Sequence, residues 1–160
     1  MTCQFEVVPA IAQPVSAGTL INGLAQSQET HGRSDISIRD FVDNRELDAD
    51  EVLEPGEAYY VDIGEVQAVL WVWKNDGVDD EEDLLAGLKN YNHSMAVADL
   101  ASAWRRAGWS IGLNVSYPQS GAPAFVDLCK ILLELTSGAL IVSSLSQFPL
   151  ARGVYDARGL

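Results

Sequence analysis

Bases, histidines and cysteines are all scarce in this chain. Of 160 residues only 10 are Lys or Arg, against 23 Asp or Glu, for a formal net charge of −13. A surface so short of cations would repel a phosphate backbone, which disfavours nucleic-acid binding, and an anionic membrane is disfavoured for the same reason. The two cysteines, Cys3 and Cys129, stand 126 positions apart and fit no metal-ligand spacing. Cys129 falls within an apolar helical pattern, where a buried reduced thiol is expected. The longest apolar runs, AVLWVW (68–73) and the stretch around ILLEL (131–135), are far short of the ~20 residues of a membrane-spanning helix. The start, MTCQFEVV, has no basic region and reaches Glu6 before any long apolar run, so no signal peptide is expected and a cytoplasmic protein is. On that reading the sequons at Asn92 and Asn114 are accidents of composition.

Catalytic motifs are missing too. The chain has no P-loop, GxGxxG, GxSxG, HExxH or EF-hand loop. Its two histidines, His31 in ETHGRSD and His93 beside Ser94, lie in loop-like stretches. Nothing brings either of them to a nucleophile, and a Ser/His/Asp triad has no positive support. No cofactor is expected.

What the chain does have is enough apolar material to fold. With 48% apolar and 21% charged residues it reads as one globular domain over residues 1–160, able to bury roughly 70% of its unfolded surface. The expected class is α/β in the mixed α+β sense, with one mixed sheet and helices on one or both faces. QFEVV reads as a first strand closed by Pro9. Ser16 is placed to cap a helix whose Ala17, Leu20, Ile21 and Leu24 share a face. DISIRDFV is a weaker strand. DNRELDADEVLEPGE (43–57) has few core-forming residues and a Pro-Gly pair, and is read as a charged surface loop. AYYVDI and VQAVLWVW form paired strands around Gly64, the second apolar on both faces.

A helix is expected from Asp79, with Leu84, Leu85, Leu88 and Tyr91 as its stripe. A second follows from Ser94, with Val97, Leu100, Ala101 and Trp104 inward and Gly108 just past its end. Trp109, Ile111, Leu113, Val115 and Tyr117 alternate with Ser110, Gly112, Asn114 and Ser116, which specifies a strand with one apolar face. Pro123 opens a helix running to about Thr136, ended by Gly138, and ALIVSS is a further strand. Strand, helix and strand there predict a C-terminal βαβ unit with parallel strands. The tail from Ser146 is read as irregular, packing through Phe148, Val154 and Tyr155.

The charge is concentrated. Residues 35–83 hold 17 of the 23 acids and 3 of the 10 bases. Six acids (Asp76, Asp79, Asp80, Glu81, Glu82 and Asp83) fall within eight positions. Two or three have a local explanation, since carboxylates suit a first helical turn. They lack the alternating ligand spacing of a calcium loop, so no metal is expected. Trp71 and Trp73 project from one face of their strand, and an aromatic anchor beside a charged rim is the usual make-up of a binding hot spot.

The expected partner-binding set is therefore Asp48, Asp50, Glu51, Asp76, Asp79, Asp80, Glu81, Glu82, Asp83 and Trp73. The expected function is neutralisation of a basic protein partner, such as a cognate toxin or nuclease. In size, charge and lack of catalytic equipment the chain resembles bacterial immunity proteins and DNA-mimicking inhibitors, although no motif ties it to a family. Two alternatives stand beside this. One is an enzyme or small-ligand protein with a pocket at the carboxyl ends of strands 109–117 and 139–144, using Tyr117, Ser120, Ser143 and Ser144 with His93 as base. The other is a self-assembling component, in the simplest case a homodimer.

Overall fold

Alternation along the strands decides which residues meet. A computed structural model describes residues 5–28, 35–75, 97–116, 122–143, 150–151 and 153–160. Seven strands, β1 (Phe5–Val8), β2 (Ile36–Asp40), β3 (Ala58–Ile63), β4 (Val66–Lys74), β5 (Trp109–Ser116), β6 (Ala139–Val142) and β7 (Gly153–Tyr155), form one sheet. Its order is β2-β3-β4-β5-β1-β6-β7, and each pair of neighbours is antiparallel. Among the described residues three helices pack on it: α1 (Ala17–Gln28), α2 (Val97–Ala107) and α3 (Ala122–Thr136). This is the mixed α+β class that the sequence specifies. The helix expected from Asp79 lies outside the described residues.

One face of the sheet carries the main core. Phe5 and Val7 of β1, Tyr59, Val61 and Ile63 of β3, Leu70 and Val72 of β4, and Ile111 and Leu113 of β5 are all buried there. They pack under Leu20 and Leu24 of α1 and Phe125, Leu128 and Leu132 of α3. The Phe125 ring meets Phe5 edge-on, with centroids 4.8 Å apart, a favoured aromatic geometry. Burial also pushes the Cys129 thiol well above the ordinary range, so it stays protonated. The opposite face has a smaller cluster, in which Trp104 of α2 covers Val8, Ala139 and Ile141.

The C-terminal crossover departs from a simple βαβ unit. β5 and β6 run in the same direction, because each is antiparallel to β1, but β1 lies between them. A short N-terminal strand thus fills the slot that a hydrogen-bonded parallel partner would have taken. The tail also contains more order than its sequence suggests. β7 pairs with β6, and a 3-10 turn over Ala157–Gly159 follows.

Helix ends follow the expected chemistry with one exception. Gly108 has φ +76° just past α2, as a C′ glycine should. After α3 the left-handed residue is Ser137, at φ +52°, and not Gly138. A non-glycine residue pays about 1 kcal/mol for that conformation. Ser137→Gly is therefore expected to raise stability by about 0.5–1 kcal/mol, read as a higher urea midpoint with an unchanged m-value.

Candidate functional site: an acidic return loop

Residues 40–57 hold eight acids and a single base, Arg45. Their backbone is held at four points, which makes this segment a fixed surface and not a loose loop. The first is a turn after β2. The Asp40 carboxylate accepts from the N–H of Val42 (2.8 Å) and of Asp43 (3.2 Å), and Asn44 adopts φ +63°. Arg39 donates to the Asn44 side chain and also to Asp62, at 2.7 Å. Asp and Asn suit such a turn because their short side chains bond nearby backbone and tolerate the left-handed region.

The chain then doubles back along the open edge of β2. The N–H of Asp40 donates to Arg45 O (2.8 Å) and that of Leu47 to Ile38 O (2.9 Å). This covers part of a strand edge that would otherwise invite pairing with another chain. Leu47 and Leu53 are both buried and pin the loop to the core.

The third attachment is to α1. Ser16 caps the helix, its hydroxyl accepting from Thr19 N. The two earlier free N–H groups, of Ala17 and Gly18, donate to the carbonyls of Glu51 and Ala49, each at 2.8 Å. The helix start is thus satisfied by the acidic loop itself. Gly18 is needed for this approach, since a Cβ there would lie 2.7 Å from Ala49 O and 2.9 Å from Ala49 Cβ. Helix propensity alone would make Gly18→Ala stabilising by about 1 kcal/mol. The overpacking against the loop opposes this, and we expect a net loss of about 1–2 kcal/mol in denaturant unfolding.

The last attachment is to β4. Gly56 N donates to Val72 O and Val72 N to Glu57 O. Pro55 and Gly56, with Gly56 at φ +92°, give the type II turn that a Pro-Gly pair favours. A few residues on, Asn75 donates to Trp104 O and accepts from Ser110, which fixes the end of β4 against the α2–β5 junction. Asn75 thus stands at the same end of the sheet as the acidic loop.

The acids divide by use. Asp40 and Asp43 shape the turn, the latter accepting from Arg45 N. Glu51 is bound by Arg45 through two hydrogen bonds, 2.8 and 3.0 Å, and accepts from Asp48 N at 2.6 Å. The Arg45 bonds, followed by that from Asp48, hold the Glu51 carboxyl below its ordinary range. This clamp is complete above the usual Glu range and is lost as pH falls through the lowered value. Glu51 is thus spent within the loop. Glu46, Asp48, Asp50, Glu54 and Glu57 are exposed and have no side-chain bond or ion pair among the described residues.

Several of these acids surround an open cleft of about 510 Å³, whose wall includes Asp50, Glu54, Glu57 and the buried Tyr59. The Tyr59 hydroxyl accepts from Glu54 N at 2.9 Å. Burial, with the nearby Glu57, Glu54 and Asp40 charges, raises its pKa, so it remains neutral.

Of the sequence-predicted set, Asp48, Asp50 and Glu51 fall in this loop. Trp73 is half-buried on the sheet face opposite the main core, alongside Trp71. Asp76, Asp79, Asp80, Glu81, Glu82 and Asp83 lie outside the described residues, as do Tyr117, Ser120, Ser144, His31 and His93. β1 lies between β5 and β6, so the two strands named for the alternative pocket are not neighbours in the sheet. Among the described residues no group of three or more His, Cys, Asp or Glu could hold a metal ion, and no helix is long and apolar enough to cross a membrane. No protein-family model, curated protein or solved structure matches the chain.

Proposed function

We propose that this chain is an acidic binding protein that neutralises a basic protein partner in the cytoplasm, in the manner of an immunity protein acting on a cationic toxin or nuclease. The observation that carries the reading is the set of five carboxylates, Glu46, Asp48, Asp50, Glu54 and Glu57, displayed on a loop whose single base, Arg45, is bound to Glu51. A fold has no use for so many unpaired like charges in one segment, since they repel one another. A positive surface arriving there would find uncompensated negative potential. The backbone that presents it is fixed at β2, α1 and β4, so little ordering is needed on binding.

Steering of this kind gives speed and selectivity more than raw affinity. Exposed charges act weakly beyond a Debye length of ~8 Å at physiological salt, so a contact core has to hold the complex once it has formed. The test is capture from the source lysate at low and high salt by the wild-type chain and by a variant with Glu46, Asp48, Asp50, Glu54 and Glu57 as amides. A basic protein identified by mass spectrometry, retained by the wild type and lost by the variant, is the expected result. Equal capture by both contradicts the reading. Light scattering on the purified chain checks the self-assembly alternative.

A further inference from the structure

We infer that Phe41 and Val42, at the tip of the turn after β2, form the apolar anchor of this binding face and insert into an apolar socket bordered by Lys or Arg on a basic protein. The inference rests on the proposed function and adds the contact core which that reading requires.

Among the described residues the exposed large apolar side chains are Ile11, Phe41 and Val42, and Val42 is by far the most exposed, at 86%. Ile11 is followed by Ala12, Gln13 and Pro14 and has no charge beside it. Phe41 and Val42 are adjacent and are flanked in sequence by Asp40 and Asp43, with Glu46 beyond. Single exposed apolar residues are common and need no explanation. This pair differs in how firmly it is held.

The turn that carries Val42 is fixed on both sides. Asp40 accepts from the N–H of Val42 itself, Asn44 N donates back to Asp40 O, and Phe41 N donates to Ala58 O. The Phe41 ring rests on Tyr60, with centroids 5.0 Å apart, and the Arg39 guanidinium, paired with Asp62, lies over the same Tyr60 ring at 5.0 Å. Tyr60 is in turn paired with Val69 in the middle of the sheet ladder, which holds the ring in place. A rigid apolar tip with a stiff aromatic behind it is what a hot spot requires, because little side-chain freedom remains to be lost on binding. The surrounding acids select the occupant. An anionic or neutral partner would bury the rim carboxylates unpaired, whereas basic residues around the socket would meet them.

The experiment uses a displayed library of a small folded scaffold with a randomised surface, selected against the full chain. Binders are expected to combine apolar residues with Lys or Arg. Val42→Ser should weaken them at least ~10-fold, while leaving the thermal unfolding of the chain unchanged, since the Val42 side chain projects into solvent and its turn-fixing N–H is kept. Phe41→Ser should do the same with a small stability loss. Basic binders that hold wild type and both variants equally would overturn the anchor but leave the acidic face standing. Binders without basic residues would overturn both. A selection yielding no binder that depends on Val42 overturns the anchor as well.

Discussion

Gly138→Ala is expected to lower the unfolding free energy by about 3 kcal/mol, the largest loss expected from alanine at any of the described glycines. A Cβ at this position would lie 2.2 Å from the carbonyl oxygen of Val8 and 3.0 Å from Pro9 Cα. Both are backbone atoms, so no side chain can swing aside. Val8 pairs with Ala139 in the β1–β6 ladder, and β1 is itself held on its other side by β5. Moving it would disturb two ladders in the middle of the sheet. Replacing glycine with alanine usually stabilises by ~0.4–1 kcal/mol through the unfolded chain, but overpacking in a tight site costs about 1–3 kcal/mol and sometimes more. The second effect wins here. Urea unfolding should show a lower midpoint at constant m-value. A loss below about 1 kcal/mol would mean that β1 has slack the structure does not show. Ser137→Gly, one residue earlier, should move the midpoint the other way, which makes the pair a sharp local check.

The largest functional effect is expected from neutralising the loop. Converting Glu46, Asp48, Asp50, Glu54 and Glu57 to their amides should slow association with the basic partner by about 10–100-fold at low salt, within the range that electrostatic steering supplies. Dissociation should change much less, because exposed charges act mainly on the encounter. The fold should survive intact, since no side chain of the five bonds to another described residue. Asp40, Asp43 and Glu51 are left alone on purpose. The first two shape the turn and the third holds Arg45, so their loss would confuse charge with structure. Surface plasmon resonance or stopped-flow kinetics would read both rates. An unchanged association rate would remove the loop from the interface.

The strands were legible because alternation is a local signal. Trp109, Ile111, Leu113 and Val115 fall on the core face as their spacing requires, and Val66, Ala68, Leu70 and Val72 do so in β4. Caps at Ser16 and Gly108 were legible for the same reason, each depending on one residue type at one position. The placing of β1 between β5 and β6 was not, because strand order is set by pairing across more than a hundred residues and leaves no local trace. β7 escaped notice because three residues are too few to show a period.

The loop was half legible. Its charge was plain, and Asp48 and Asp50 lie in the exposed face. What the sequence hid was the division of labour, in which Arg45 reaches six residues on to occupy Glu51. The anchoring was missed as well, although Leu47 and Leu53, two leucines within an acidic stretch, were a usable hint that the segment is pinned to a core. Phe41 and Val42 read as the end of a strand, and only the turn geometry shows that they project from its tip.

The most direct test is the association rate of the wild-type chain with its captured partner, measured from about 0.01 to 1 M salt, over which the Debye length falls from ~30 Å to ~3 Å. If negative potential at this end of the sheet draws in a positive surface, the rate should drop steeply across that range while dissociation stays nearly flat, and the five-amide variant should lose most of the slope. A rate indifferent to salt, or a variant that keeps the wild-type slope, would contradict it.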